Sequence, residues 1–180
     1  MSDPPPTPVP SVPHPACLSP EQLLAECTQT FTRRSGPGGQ NRNKVETAVV
    51  LRHASTGMTA EANERRSQQE NRMVALQRLR VSLAIGVRSD LLAGTCPAPS
   101  PLWLSRCRGS RLAINPEHVD FPALLAEALD AITTFDYEPR PAAEALGCSA
   151  SQLVKLVQLE PRALVWWNAR RQERGRHRLH

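Results

Sequence analysis

The sequence has few aromatic residues, no long apolar run and no recognisable export signal. Phe, Trp and Tyr together make up 4% of its 180 residues, so a core has to be built mainly from aliphatic side chains. No apolar stretch approaches the ~20 residues that a membrane-spanning helix needs. Residues 1–15 lack the basic start and the apolar stretch of a signal peptide. These absences predict a cytoplasmic protein that does not contact a membrane.

The five cysteines are scattered, at positions 17, 27, 96, 107 and 148. Their number is odd, no Cys-x-x-Cys pair occurs and no histidine stands at zinc-ligand spacing, which argues against a disulfide framework and against a zinc site. We therefore expect reduced, mostly buried thiols, with no metal and no cofactor.

Charge is distributed in three blocks along the chain. Residues 33–80 hold ten Lys and Arg against four Asp and Glu, residues 117–160 hold two against eight, and residues 161–180 hold six against one. The clustered cations favour a polyanionic partner, most simply a nucleic acid. The alternative interpretation is an ordinary solvated surface.

Amino-acid composition and the positions of proline and glycine divide the chain into five segments. The first is rich in proline, which predicts a disordered leader. The others are an α+β domain, a linker with one possible short strand at 110–115, a helical region that resembles a helix-turn-helix, and a basic tail. In order, the segments are 1–17, 18–93, 94–118, 119–169 and 170–180.

The predicted fold class is α+β, a small β-sheet packed on a long helix and followed by a mostly helical C-terminal region. Thr-rich and β-branched stretches predict strands at 28–33, 47–53 and 58–62. Ser67 begins a helix over 67–85, with Gly86 as its terminator. Its apolar stripe, predicted to face the sheet, is Met73, Leu76, Leu79 and Leu83, and its outward-facing arginines are Arg72, Arg78 and Arg80.

Further helices are predicted in the second half and before the first strand. Ser19 and Pro20 begin a short helix. Residues 121–133 form a helix, residues 140–161 form two helices around a Gly-Cys-Ser turn, and a last helix ends near Gly175. We expect this second half to be separate from the first.

The segment SGPGGQNRNK, residues 35–44, combines three glycines with neutral amides and cations. It lacks the Gly-Lys-Ser/Thr of a P-loop and the glycine spacing of a dinucleotide fingerprint, so neither phosphate-binding motif fits. Glycines permit positive φ and close approach of the backbone to a ligand. The Gln40 backbone N–H is therefore a candidate oxyanion donor, and the alternative is an ordinary turn between strands.

The motifs around this loop resemble the catalytic domain of class I peptide chain release factors and their stand-alone relatives. Over about 45 residues, the matching elements come in the family's order and spacing. They are Arg34-Ser35-Gly36-x-Gly38-Gly39-Gln40, Asn43-Lys44, Ala48-Val49, His53-x-x-Thr56-Gly57 and Arg66-Ser67-Gln68-x-x-Asn71-Arg72. The resemblance implies that residues 18–93 are the catalytic domain.

By that resemblance, the reaction is hydrolysis of peptidyl-tRNA in the peptidyl-transferase centre of the large ribosomal subunit. Gly38 and Gly39 would shape the loop, the Gln40 N–H would stabilise the oxyanion, and its side chain would orient water. Ribosomal RNA and the transfer RNA's ribose would supply the remaining chemistry. Gln40 would be a target for N-methylation by a glutamine methyltransferase, and the protein would act as a monomer.

The sequence departs from the family directly after Gln40. Asn41-Arg42 stands where His-Val is frequent in the family. Either Arg42 disturbs the packing of the loop or, as we favour, it contacts a phosphate of ribosomal RNA. The cations of this domain that we predict to contact RNA are Arg33, Arg34, Arg42, Lys44, Arg66 and Arg72.

No Pro-x-Thr or Ser-Pro-Phe tripeptide stands in a plausible codon-reading loop. We therefore expect codon-independent release of nascent peptide from stalled ribosomes, as in stand-alone rescue factors. In that group a basic tail enters the vacant messenger channel. The tail residues predicted to contact RNA are Arg170, Arg171, Arg174, Arg176 and Arg178.

Two alternatives remain open from the sequence. One is action on split large subunits that carry peptidyl-tRNA. The other is a non-catalytic nucleic-acid-binding regulator, in which residues 142–156 form a helix-turn-helix. Against the latter, the region is acidic and the would-be recognition helix offers only Ser151, Gln152, Lys155 and Gln158. We favour a helical packing unit, a buried position for one of Trp166 and Trp167, and a structural role for His53.

Overall fold

The computed structural model of the protein describes residues 13–32, 47–89 and 98–180. A short 3₁₀ turn at Pro15–Cys17 precedes the first α-helix. The helices are α1 Pro20–Ala25, α2 Gln68–Gly86, α3 Pro101–Arg106, α4 Phe121–Thr134, α5 Pro139–Ala145, α6 Ala150–Gln158 and α7 Pro161–Glu173. The strands are β1 Cys27–Thr32, β2 Ala48–His53, β3 Thr59–Ala62, β4 Cys107–Arg108 and β5 Arg111–Leu112. The predicted α+β class is confirmed.

The main sheet has three antiparallel strands in the order β1-β2-β3. In the central strand β2, the alternate residues Val49, Leu51 and His53 are buried while Arg52 is exposed, because successive side chains point to opposite faces of a sheet. The turn into β3 contains Gly57 at φ 70°, a left-handed conformation that glycine adopts without steric cost. The three predicted strands are thus confirmed to within one residue.

Helix α2 is the centre of the fold, with β2 and β3 on one side and α4 on the other. At the start of α2, the Ser67 hydroxyl accepts a hydrogen bond from the Glu70 N–H at 3.4 Å. Gly86 is the last residue of the helix. Leu76, Leu79 and Leu83 of the predicted stripe are buried. The prediction for Met73 is wrong, because 50% of that residue is exposed.

Arg80 corrects the prediction that all the arginines of α2 face solvent. The residue is only 6% exposed. Its guanidinium donates to the Ala16 carbonyl at 2.9 and 3.1 Å and to the Val119 carbonyl at 2.7 Å. Ala16 lies in the 3₁₀ turn and Val119 lies just before α4, two elements that both contact α2. Carbonyl partners on both sides, together with the negative charge of Asp120, explain how a cation is buried here.

Residues 13–17, predicted to belong to the disordered leader, fold against the end of α2. Ala16 is fully buried. The His14 ring accepts from the Ala16 N–H through Nδ1 at 3.0 Å, and its Nε2 lies 3.1 Å from the Val87 carbonyl. These two contacts fit the neutral ring with its proton on Nε2, and burial lowers the pKa of His14.

The stability of the fold is expected to fall in acid through His14. Its folded-state pKa lies below the ordinary 6.5, so the unfolded chain takes up a proton first as pH falls. The stabilisation by neutral His14 is therefore complete above about pH 6.5 and is lost below it. Urea unfolding of the wild type and of His14→Gln, measured from about pH 7.5 to about pH 5, should show a steeper loss for the wild type. Parallel curves would contradict this assignment.

The second half is continuous with the first, which corrects the prediction that it is separate. Helix α4 packs on α2, and one buried cluster runs from Leu51 of the sheet through Leu79 to Leu129 and Trp167. The predicted helices over 121–133 and 140–161 and the last helix are confirmed. Because α4 is apolar on nearly all sides, it fits a position between α2 and the C-terminal helices.

Helix α3 lies in the segment predicted to be a linker. The Ser100 hydroxyl accepts from the Trp103 N–H at 3.0 Å, and Ser100 itself donates to the Glu127 carboxylate at 2.6 and 2.7 Å. Trp103 is fully buried and donates its indole N–H to the Leu146 carbonyl at 2.7 Å. These contacts fix the segment between α4 and the turn that follows α5.

Candidate active site

The glycine loop leaves and re-enters the sheet at one end. Strand β1 ends at Thr32, β2 begins at Ala48, and these two residues lie opposite each other in the antiparallel pair. The intervening residues 33–46, with Gly38, Gly39 and Gln40, lie outside the described residues, as do the candidate RNA contacts Arg33, Arg34, Arg42 and Lys44. Directly opposed Cα atoms are about 5 Å apart, so both ends of the loop are fixed close together.

Asn71 of α2 holds the returning end of this loop. The side chain is fully buried. Its Nδ2 donates to the Thr47 carbonyl at 2.7 Å and to the Arg65 carbonyl at 3.0 Å, and its Oδ1 accepts from the Arg65 N–H at 2.8 Å. One amide thus joins the last residue before β2 to the β3–α2 connection. A buried amide with three partners fixes geometry, since each partner lost would leave a polar group unpaired.

Arg72 borders the departing end of the loop. Its guanidinium carbon lies 5.8 Å from the centre of the Phe31 ring, within the range of a cation–π contact. The residue is half-buried, so only part of this predicted RNA contact is accessible.

Arg66 and its neighbour Arg65 are exposed on the β3–α2 connection. Within the described ranges no carboxylate forms an ion pair with either of them. Arg66, a predicted RNA contact, is therefore exposed and has no carboxylate partner among the described residues. Arg65 was not among the predicted RNA contacts, but it is as exposed as Arg66, its neighbour in the charged run.

His53 lies at the far end of β2 from the loop. It is 1% exposed, its Nδ1 lies 2.8 Å from the Thr56 hydroxyl, and its Nε2 lies 3.0 Å from a Glu26 carboxylate oxygen. These contacts fix the 54–57 turn against the start of β1. The burial and the two contacts of His53 support the predicted structural role.

The predicted basic tail is folded back on the acidic α4–α5 connection. Residues 170–173 are the last turn of α7, and the Asn168 amide exchanges hydrogen bonds of 2.8 and 3.1 Å with the backbone of Leu179. Residues 170–180 therefore pack on the rest of the protein and do not form the separate tail that the sequence predicted. Asp136 and Glu138 supply the opposite charge that holds the segment against the protein.

The five tail arginines have different environments. Arg171 is buried and donates to the Tyr137 and His177 carbonyls at 2.8 and 3.0 Å. Arg174 pairs with Asp136 at 2.5 Å and stacks on the Tyr137 ring, 4.2 Å from its centre. Arg176 pairs with Asp136 and Glu138, Arg170 pairs with Glu173, and Arg178 donates to Gln172. Their role as RNA contacts stays a prediction, and in this conformation Arg171 is not accessible to RNA.

Helices α5 and α6 form the predicted helix-turn-helix. Gly147 has φ 68° in the turn, and the Ser149 hydroxyl accepts from the Gln152 N–H at 3.3 Å. The Gln152 side chain accepts from the Leu112 N–H at 3.3 Å, so it is occupied within the protein. This supports a packing unit rather than a DNA-reading helix.

The buried indole is that of Trp167, which donates to the Tyr137 carbonyl at 3.0 Å. Trp166 is half-buried against the Tyr137 ring. The prediction that one of the two tryptophans is buried is therefore confirmed.

The four described cysteines are free, but only Cys148 is buried, which corrects the expectation of mostly buried thiols. Burial raises the pKa of Cys148 to about 11, so that thiol stays protonated at neutral pH. In the part of the chain that the structure describes, no cluster of His, Cys, Asp and Glu is arranged to hold a metal ion. No described helix is long and apolar enough to cross a bilayer.

Residues 24–90 match the RF-1 domain family, so the chain contains a release-factor domain and is release factor-like. A segment of 56 residues is 50% identical to a chloroplastic peptide chain release factor of Arabidopsis thaliana, and covers 31% of this chain and 12% of that one. An uncharacterized mitochondrial peptide chain release factor-like protein of Saccharomyces cerevisiae is 42% identical over 64 residues, 35% of this chain and 41% of that one. The mitochondrial translation release factor in rescue of Danio rerio is 43% identical over 70 residues, 37% of this chain and 45% of that one. The chain spans less than half the length of each of these relatives.

Proposed function

We propose that this chain, with its release-factor domain at residues 24–90, hydrolyses peptidyl-tRNA in the peptidyl-transferase centre and so frees stalled ribosomes. The proposal rests on the Gly38-Gly39-Gln40 sequence, which stands in the chain between two paired strand ends, and on Asn71, which binds Thr47 directly before the second strand. Similarity to a translation release factor in rescue favours action without a stop codon.

In the proposed reaction, water attacks the carbonyl carbon of the ester that joins the peptide to the ribose. The Gln40 N–H donates to the oxyanion as it forms, and such a preorganised donor is aimed at charge that develops in the transition state. The ester C–O bond then breaks and the ribose oxygen takes a proton. His53 is held by Glu26 and Thr56 at the other end of β2, so it is not positioned at the root of the loop to act as a base. Ribosomal RNA and the transfer RNA supply the proton transfer.

Binding to ribosomal RNA is assigned to the cations around the loop root. Arg65 and Arg66 are exposed there, and the sequence adds the cations of residues 33–46. The protein acts as a monomer in this proposal, and N-methylation of Gln40 by a glutamine methyltransferase would tune the loop.

The deciding assay uses purified ribosomes that carry labelled peptidyl-tRNA with no codon, a sense codon or a stop codon in the A site. We expect release with an empty A site, and no dependence of the rate on a stop codon. Peptide that stays on the transfer RNA in all three complexes would overturn the proposed activity. Release with a stop codon only would overturn the rescue function.

A second candidate substrate is the split large subunit carrying peptidyl-tRNA. It is favoured by the folded C-terminal segment, because Arg174 and Arg176 are engaged by Asp136 and Glu138 and not extended for a messenger channel. Faster release on isolated large subunits than on intact ribosomes would support it. Truncation after Gly175 should then leave release unchanged, whereas loss of release on intact ribosomes would support a tail in the channel.

A further inference from the structure

The β4–β5 hairpin presents two arginines side by side on the surface. Gly109 and Ser110 form its connection, with φ 54° and 62°. Positive φ at both central residues is the geometry of the tight turn that suits the twist of paired strands. The register places Arg108 directly opposite Arg111, and both are exposed.

This arrangement is unfavourable for the isolated protein. Like charges directly opposite each other on paired strands destabilise the pair, and a left-handed φ is unfavourable for Ser110, which has a Cβ. Within the described ranges, no carboxylate pairs with Arg108 or Arg111. Nearby Arg106, by contrast, pairs with Asp120 at 2.6 Å. The hairpin tip is therefore a concentrated positive charge that the fold does not neutralise.

The hairpin is held firmly at its base. The Cys107 N–H donates to the Trp103 carbonyl at the end of α3, and Trp103 is fully buried. On the other strand, the Leu112 N–H donates to Gln152 of α6 at 3.3 Å. Both strands are thus tied to helices, so the two guanidiniums start from a fixed backbone and lose less freedom on binding.

We propose that this hairpin binds the phosphate backbone of ribosomal RNA, with Arg108 and Arg111 as the contacting residues. Their Cα atoms are about 5 Å apart, so both side chains reach the same stretch of one RNA strand. Guanidinium groups match phosphate oxygens bidentately, and a polyanion relieves the repulsion between the two charges. The choice of RNA over an acidic protein rests on the proposed function, and the hairpin would be a contact in the helical half, separate from the glycine loop.

The test is the double variant Arg108→Gln with Arg111→Gln, titrated with a short RNA duplex over a series of salt concentrations. Log affinity falls as log salt concentration rises, and losing two phosphate contacts should make this slope less steep by about 1.5. The matched control, Arg140→Gln with Arg162→Gln, removes the same charge from exposed arginines that pair with Glu144 and Glu160, and should leave the slope close to the wild-type value.

Thermal unfolding separates a lost contact from a damaged fold. The hairpin variant should unfold at the wild-type temperature or above it, since the repulsion across the strands is removed. An unchanged salt slope, or an equal decrease in both double variants, would overturn the proposal. So would weaker binding of polyglutamate with unchanged binding of RNA, which would indicate an acidic protein as the partner.

Release assays distinguish this proposal from the proposed function. If Gln40 variants lose peptide release while the hairpin variant keeps both large-subunit binding and release, the hairpin proposal fails and the proposed function stands. If the wild type releases no peptide but the hairpin variant shows the lower salt slope, the hairpin stands as an RNA contact and the proposed function fails.

Discussion

Replacing Gln40 by proline is expected to lower the rate of peptide release by about two to three orders of magnitude, the usual cost of removing one oxyanion donor. Proline has no backbone N–H, so the substitution removes the proposed donor itself. Single-turnover release on ribosomes with an empty A site measures the effect, because it reports the chemical step without later dissociation.

Gln40→Ala is the matched control for the backbone donor. Alanine keeps the N–H and removes only the side-chain amide, so we expect a smaller loss of rate that reflects poorer positioning of water. Both variants should bind ribosomes as the wild type does, because the proposed RNA contacts are charged side chains elsewhere. Equal rates for wild type and both variants would contradict any role of Gln40, and equal losses in both would shift the role from the N–H to the side chain.

Local signals in the sequence predicted the elements of the release-factor domain on either side of the glycine segment. Strands β1 and β2, the turn at Gly57 and the start of α2 at Ser67 each depend on residues within a few positions of one another. Helix α3 was missed, although Ser100-Pro101 repeats the Ser-Pro start that was recognised at Ser19. The Pro-containing stretch 94–101 was interpreted as a linker, and this interpretation hid the helix start within it.

The sequence did not show which polar groups are buried by distant segments. Arg80 lies off the apolar stripe, and its burial depends on the Ala16 and Val119 carbonyls, which lie 64 and 39 residues away along the chain. The folded C-terminal segment was missed for the same reason, since charge counts identified an acidic and a basic block without showing that Asp136 and Arg174 meet. Pairing across such separations is set by tertiary packing, which periodicity does not encode.

For the candidate site, the sequence identified the candidate residues, and the structure added the contacts that fix Thr47, directly before β2. Asn71 was recognised only as part of a family motif. The Asn71 side chain forms three hydrogen bonds that connect Thr47 to Arg65, so its physical role is to hold these two segments together. A substitution of Asn71 can therefore alter the candidate site without changing Gly38, Gly39 or Gln40.

Asn71→Ala is expected to destabilise the protein by about 3 kcal/mol, because it leaves the Thr47 and Arg65 carbonyls and the Arg65 N–H without their buried partner. For a chain of this size that lowers the midpoint of thermal unfolding by roughly 6–12 °C. Release by the folded variant should also fall by about 100-fold, since displacement of a catalytic group by about 1 Å has such an effect.

Measuring release well below the unfolding midpoint, with the folded fraction checked by circular dichroism, separates the two effects. Asn115→Ala is the matched control, because Asn115 is exposed and its side chain makes one local hydrogen bond, to the Glu117 N–H at 2.8 Å. That change should cost less than about 1 kcal/mol and leave release unchanged. If Asn71→Ala lost stability but its folded fraction released peptide at the wild-type rate, the contact between Asn71 and the root of the loop would serve stability alone.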